Sequence, residues 1–184
     1  MGFIMANYST TKRTAIGTEL DDYIYAQEYY TSLSGKNEGK GFTIKGGDGN
    51  DTYIQNSYQL ERTNIIYDVS GDSDSFTFKY GSSSDMDVLV NVYADGTYDS
   101  DLTLTSNYYA NNKIIFKEYF NEGKIENIYQ DSYKISETQL KACIQEVAKW
   151  LSDNGFESAQ EVLDSGNETN INILYTKFDN CWTY

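Results

Sequence analysis

Six consecutive residues, Gly46-Gly47-Asp48-Gly49-Asn50-Asp51, hold three glycines, two aspartates and an asparagine, and the β-favouring triplet Thr52-Tyr53-Ile54 follows directly. Glycine reaches positive backbone angles without steric cost, so such a run makes a tight bend leading into a short strand. The bend crowds carbonyl and carboxylate oxygens together. Like charges at that spacing repel unless something neutralises them.

The bend recurs. "GTELDDYIYA" (Gly17 to Ala26) reads Gly-x-x-x-x-Asp followed by β residues, as "GGDGNDTYIQ" (Gly46 to Gln55) does, and "VSGDSDSFTF" (Val69 to Phe78) is a weaker third copy. The shared core is Asp-x-U, with U large and apolar or aromatic: Asp22-Tyr23-Ile24, Asp51-Thr52-Tyr53 and Asp74-Ser75-Phe76. U is expected to turn inward and pack on its equivalents in adjacent coils. The three aspartates are 29 and 23 residues apart, so stretches such as "YYTSLSGKNEGKG" must loop out between coils. Calcium prefers six to eight oxygens at about 2.3–2.6 Å, more than one bend supplies. Two stacked bends would have to share an ion, which makes binding and stacking one event.

The run Gly46 to Ile54 fits the pattern GGxGxDxUx at every fixed position. In this it resembles the RTX, or hemolysin-type calcium-binding, nonapeptide repeat. The resemblance extends over roughly residues 16–132, taking in "IIYDVSGDSDSFTF", "DVLVNVYADGTYDSDLTLT" and "NKIIFKEYFNEGKIENIYQDS". It implies a right-handed parallel β-roll with calcium between coils, and secretion by a type I system through an uncleaved C-terminal signal. The copies depart from the pattern: Thr18 holds the second position of the first, Glu19-Leu20 replace a small flexible pair, and Ser70-Gly71-Asp72 stand where the third copy's early glycines belong. The expectation is a short, degenerate roll with one to three calcium ions. Asp51 leads the expected ligands, with the carbonyls of Gly47 and Gly49, followed by Asp22 and Asp74. Gly46 and Asp48 complete the set, although Asp48 and Asp72 also read as solvent-facing turn residues.

Charge and composition narrow the function classes. Twenty-eight acidic residues against 14 basic ones give a net charge of −14, which argues against nucleic acid and anionic membranes and favours hard cations. Histidine is absent, which removes Ser-His-Asp and Cys-His nucleophiles and the zinc-protease helix motif. Carboxylate neighbours such as Asp21-Asp22, or Asp99 with Asp101, single out no glycosidase pair, so no enzyme is expected. No apolar run approaches the ~20 residues of a membrane span. The N-terminus, "MGFIMANYSTTKRT", has too short an apolar stretch for a cleaved signal. That leaves a cytoplasmic chain, a fragment, or export without an N-terminal signal. The resemblance implies the last, and a secreted, extracellular protein.

The fold class expected is mainly β: a short degenerate parallel β-roll continued by antiparallel strands, with a small α-helical C-terminal cap. Short β runs ("DDYIYA", "GFTIK", "DTYIQ", "NIIYDV", "SFTFKY") alternate with turn residues up to about Tyr80. Longer runs follow ("MDVLVNVYA", "DLTLTS", "NKIIFKEYF", "KIENIYQ"), joined by the hairpin-like connections "ADGTYDSD", "NYYANN" and "NEGK". Ser136 then opens "SETQ", a capping box, with Leu140, Cys143, Ile144, Val147, Ala148 and Leu151 at helical spacing and Gly155 as the stop. "SAQE" from Ser158 opens a second helix, and Ile171, Leu174, Tyr175 and Phe178 mark a third. Residues 1–132 therefore form an RTX-like β domain and residues 133–184 a helical cap, a secretion-signal region, or both. Cys143 and Cys181 either pair or are two small buried thiols. The 18 tyrosines, clustered in "YYTS", "NYYANN" and "DDYIYAQEYY", either fill β surfaces or form a binding face. The second reading of function is accordingly an extracellular adhesion module holding a glycan or a cell-surface protein, with calcium merely structural.

Overall fold

The structure is a computed structural model that describes residues 2–5, 14–25, 41–55, 63–79, 86–106, 113–123 and 125–184, with the backbone alone for residues 2–5. All of "YYTSLSGKNEGKG" except Gly41 lies outside the described residues, as does the tyrosine cluster of "NYYANN".

Each β-type run contains a strand, and three further strands, the first, second and twelfth in chain order, form at "GFIM", "TAI" and "YKIS", outside those runs. The strands are β1 (Gly2–Met5), β2 (Thr14–Ile16), β3 (Asp22–Tyr25), β4 (Thr43–Lys45), β5 (Thr52–Gln55), β6 (Thr63–Tyr67) and β7 (Asp74–Phe78). There follow β8 (Met86–Leu89), β9 (Leu102–Ser106), β10 (Lys113–Phe116), β11 (Ile125–Gln130) and β12 (Tyr133–Ser136). They build two mixed six-stranded sheets, ordered β1-β3-β5-β7-β11-β12 and β2-β4-β6-β10-β9-β8. From β1 to β7 the chain alternates between the sheets, and the neighbours within each sheet run parallel. Strands β10 and β11 extend the two sheets in parallel, while β9, β8 and β12 are added antiparallel.

Period-2 burial explains the packing. Ile24, Tyr53, Phe76 and Ile128 stand in register across one sheet, and all four are buried. Ala15, Ile44, Ile66 and Phe116 form the matching buried row of the other. The rows meet across the core, where Phe76 and Phe116 pack edge to face with centroids 5.2 Å apart. Burying each such large side chain contributes roughly 1.5–3 kcal/mol. The inward turn expected of U holds for Ile24, Tyr53 and Phe76.

Three expectations need correction. "NEGK" is not a hairpin: β10 and β11 lie in different sheets, and the chain crosses between them through a turn in which Asn121, Glu122 and Gly123 donate to the Glu118 carbonyl. The strand in "NKIIFKEYF" ends at Phe116, and that in "MDVLVNVYA" at Leu89. The antiparallel continuation is only partial, because β10 and β11 stay parallel to β6 and β7.

Three helices follow near the C-terminus. Helix α1 (Glu137–Asn154) opens on the Ser136–Gln139 capping box, ends on Gly155 at φ 75°, and buries the apolar stripe read from the sequence. Helix α2 (Ala159–Asp164) is capped by Ser158, and α3 (Glu168–Asp179) by Asn167. Cys143 on α1 pairs with Cys181 just beyond α3, their Cα atoms 5.9 Å apart. Residues from these helices and from both sheets belong to one continuous buried cluster. Among the described residues no helix is long and apolar enough to cross a membrane.

Candidate metal centre

The three acidic bends lie at one edge of the molecule. Each links a strand of the second sheet to the next strand of the first: β2 to β3, β4 to β5, β6 to β7. Ile16, Lys45 and Tyr67 are in register, so Gly17, Gly46 and Asp68, each next in the chain, open the bends. Asp22, Asp51 and Asp74 close them. The first two bends run 17–22 and 46–51, and the third, 68–74, is one residue longer. The uneven aspartate spacing thus comes mainly from the lengths of chain between β3 and β4 and between β5 and β6, which differ.

Inside the bends the carboxylates bond along the stack. The Asp22 N–H donates to Asp51 Oδ1 at 2.9 Å, the Asp51 N–H to Asp74 Oδ1 at 2.5 Å, and the Asp74 N–H to Glu126 Oε2 at 2.6 Å. Glu126 sits where the register of β11 against β7 shifts between Ile125 and Asn127. An outer row runs alongside: the Asn50 N–H donates to Asp21 Oδ1, and the Asp72 and Ser73 N–H groups to Asn50 Oδ1. Gly47 and Gly49, at φ 108° and 100°, supply the left-handed angles of the central bend.

One end of each aspartate therefore serves the backbone, and the other end decides the chemistry. Asp51, Asp68 and Asp74, all buried, each place a carboxylate oxygen within 4.8 Å of the others. Tyr53 donates its hydroxyl to Asp68 Oδ2. Asp51 Oδ2 and Asp74 Oδ2 are buried without any hydrogen bond. Gly46 borders the same space: a Cβ there would lie 2.0 Å from the Tyr53 hydroxyl, 2.2 Å from Asp51 Oδ2 and 2.5 Å from Asp68 Oδ2. Burial, with repulsion from neighbouring carboxylates, pushes the Asp51 carboxyl up to about 6 and the Asp74 carboxyl to about 8. Burial raises Asp68 too, against the lowering effect of the Tyr53 hydroxyl, and drives the Tyr53 phenol strongly upward.

These residues fit a hard cation. Oxygens around one calcium ion, each about 2.3–2.6 Å from it, lie up to about 5 Å apart, which matches the spread of the three carboxylates. The donor set is all oxygen, which suits calcium or magnesium and not a thiolate- or imidazole-seeking metal. A bound cation would supply the positive charge that the two orphaned, buried oxygens lack.

The structure brings some of the expected ligands together and leaves others apart. Asp51 and Asp74 join the cluster, and Gly46 borders it. Asp22 stands in the same row outside the trio, its Oδ2 taken by the Thr18 N–H at 2.6 Å and the Thr18 hydroxyl at 2.9 Å. The Gly47 carbonyl accepts from the Ser70 hydroxyl, Gly49 O approaches Gly71, and Asp48 is exposed. Sequence reasoning missed Asp68 and Glu126. Laying "FTIKG" (Phe42 to Gly46) against "NIIYD" (Asn64 to Asp68) would have set Asp68 beside Gly46, whereas Glu126 depends on a strand irregularity with no signature in the chain.

Comparison of the chain with protein-family models, with curated proteins and with solved structures found no match. The likeness to the RTX repeat thus rests on the residues quoted above.

Proposed function

We propose that the chain is a calcium-binding β-roll domain that completes its folding on calcium outside the cell and supports type I secretion of a bacterial protein. The observation that carries this reading is the buried Asp51–Asp68–Asp74 cluster, whose Asp51 Oδ2 and Asp74 Oδ2 have no partner, at the junction of two parallel coils. Strands that alternate between two sheets, with glycine-rich bends stacked at one edge, support the roll. The secretion route and the extracellular setting rest on the resemblance alone. No catalytic role is proposed.

The mechanism is charge compensation. At the ~10⁻⁴–10⁻³ M dissociation constants of extracellular calcium modules, cytosolic calcium would leave the site unfilled. The clustered carboxylates, in a chain of net charge −14, would then loosen the bends. Calcium at ~100 times the dissociation constant adds ~2.7 kcal/mol to the folded state, a sizeable share of a domain's ~5–15 kcal/mol. The test is far-UV circular dichroism and thermal melting of the full chain in chelator and in millimolar calcium. A calcium-dependent gain in β signal and in melting temperature is expected. Identical spectra and identical melting in the two conditions would overturn the reading.

A second reading, an extracellular glycan- or protein-binding module, draws on a different observation. A groove of about 910 Å³ runs between the β8–β10 face and helices α2 and α3, lined by Asp99, Gln160 and Tyr175 among others. Asn91 and the Tyr93 hydroxyl both bond to Asp99 at its rim. A glycan array probed with the Tyr175→Ala chain beside the parent separates this reading from the first.

A further inference from the structure

The three bends are close to equivalent in backbone position, yet they are not equivalent in how their carboxylates are satisfied. At the first bend both donors of Thr18 converge on Asp22 Oδ2. Thr18 does this with an ordinary backbone angle, whereas Gly47, at the same position of the next bend, turns to φ 108° and leaves Asp51 Oδ2 without a donor. The residues opening the bends differ as well. Gly17 and Gly46 bring no charge, but Asp68, aligned with them one coil further on, brings a third buried carboxylate.

We infer that the three described bends hold a single divalent cation, between the second and third, on Asp51, Asp68 and Asp74, with Thr18 occupying one oxygen of Asp22 at the first bend. This deepens the calcium reading and rests on it. The cluster alone would not carry the inference. The second observation is that Asp51, fully buried, aims an unpartnered oxygen into the space that Gly46 keeps open beside Asp68 Oδ2, while the unpartnered oxygen of Asp74, equally buried, lies against Gly71. Asp68 stands where the other two bends open on glycine, so its carboxylate is an addition peculiar to the third bend. Asp22 keeps one unpartnered oxygen of its own, but the position that would face it with a third carboxylate is Gly46.

The test counts ions and then ranks residues. Native mass spectrometry of the full chain in calcium is expected to show one tightly held ion. Two or more would overturn the single-site inference and leave the calcium reading standing, while none at any concentration would sink both. Calorimetric titration with calcium is expected to show at least a tenfold loss of affinity for Asp68→Asn and less than a threefold change for Asp22→Asn. The reverse ranking overturns the assignment. Tyr53→Phe separates ligation from scaffolding, because it removes the hydroxyl that Asp68 accepts but keeps the carboxylate. Affinity within threefold of the parent is expected for it. A loss as large as that of Asp68→Asn would mean that Asp68 acts only by holding Tyr53. Should Asp68→Asn fail to elute at native size, the ion count and the Asp22→Asn and Tyr53→Phe titrations still decide the matter.

Discussion

Thr18 gives both its backbone N–H and its hydroxyl to Asp22 Oδ2, while Asp51 Oδ2, one coil on, receives nothing. Each of the two aspartates keeps one buried oxygen without a donor, but only Asp51 belongs to the cluster with Asp68 and Asp74. Replacing Thr18 with alanine removes one of the two donors to a carboxylate, a loss of about 1.5–3 kcal/mol for a charge-assisted bond, less in so far as this one is part-exposed. The cost should be the same in chelator and in calcium, because Thr18 lies outside the Asp51–Asp68–Asp74 cluster. Urea unfolding of Thr18→Ala in both conditions checks this, and a penalty confined to one condition would contradict it.

The raised carboxyls make a definite pH prediction for the metal-free chain. Asp51 moves from 3.8 to about 6 and Asp74 from 3.8 to about 8, chiefly through burial. Each holds its proton more tightly folded than unfolded. The folded state therefore binds more protons between about pH 4 and pH 8, and stability falls as pH rises through that window. In chelator the melting temperature should be higher at pH 5 than at pH 8. Protons and the cation compete for the same oxygens, so the calcium-induced rise in melting temperature should be larger at pH 8. Asp74→Asn, which cannot ionise, should flatten the pH dependence in chelator, and an unchanged slope would place its origin elsewhere.

How much of this was legible in the chain follows from the range of the interactions involved. The helices were readable to within a residue or two, because a capping box at Ser136, a left-handed Gly155 and a 3.6-residue stripe are local features. The inward positions Ile24, Tyr53 and Phe76 were readable because each follows its bend aspartate by a fixed two residues. The path after Phe116 was not. "KIIFKEYF" and "KIENIYQ" alternate as a hairpin would, and the partnership of β10 with β6 and of β11 with β7 is settled by long-range parallel pairing. For the same reason the site was half visible. Asp51 and Asp74 announce themselves by motif, whereas Asp68 enters only through the alignment of β6 with β4.

The Cys143–Cys181 pair ties helix α1 to the segment beyond α3, closing 38 residues. In the chain-entropy picture a closed loop of that length is worth about 4 kcal/mol. Residues it holds in place, Leu140, Ile144, Leu174 and Phe178, belong to the buried cluster shared with the sheets. Cys143→Ser/Cys181→Ser should therefore lower the denaturant midpoint of the whole chain, with a single transition by circular dichroism and by tryptophan fluorescence from Trp150 and Trp182. Two separated transitions would show that the helical part melts independently of the sheets.

Gly46 offers the sharpest mutational test of the site, because its role is steric and local. A Cβ there would fall 2.0 Å from the Tyr53 hydroxyl and 2.2 Å from Asp51 Oδ2, inside the space the carboxylates share. Gly46→Ala should cost stability by forcing these groups apart, roughly 1–3 kcal/mol as for other overpacked interiors. It should also remove the calcium-dependent rise in melting temperature. Gly155→Ala is the matched control. Nothing lies within 4 Å of a Cβ at Gly155, and its φ of 75° makes alanine costly by about 1 kcal/mol through backbone strain alone. That variant should lose a similar amount of stability and keep the full calcium response. If Gly46→Ala keeps the response as well, the space beside Asp51, Asp68 and Asp74 is not where the cation sits.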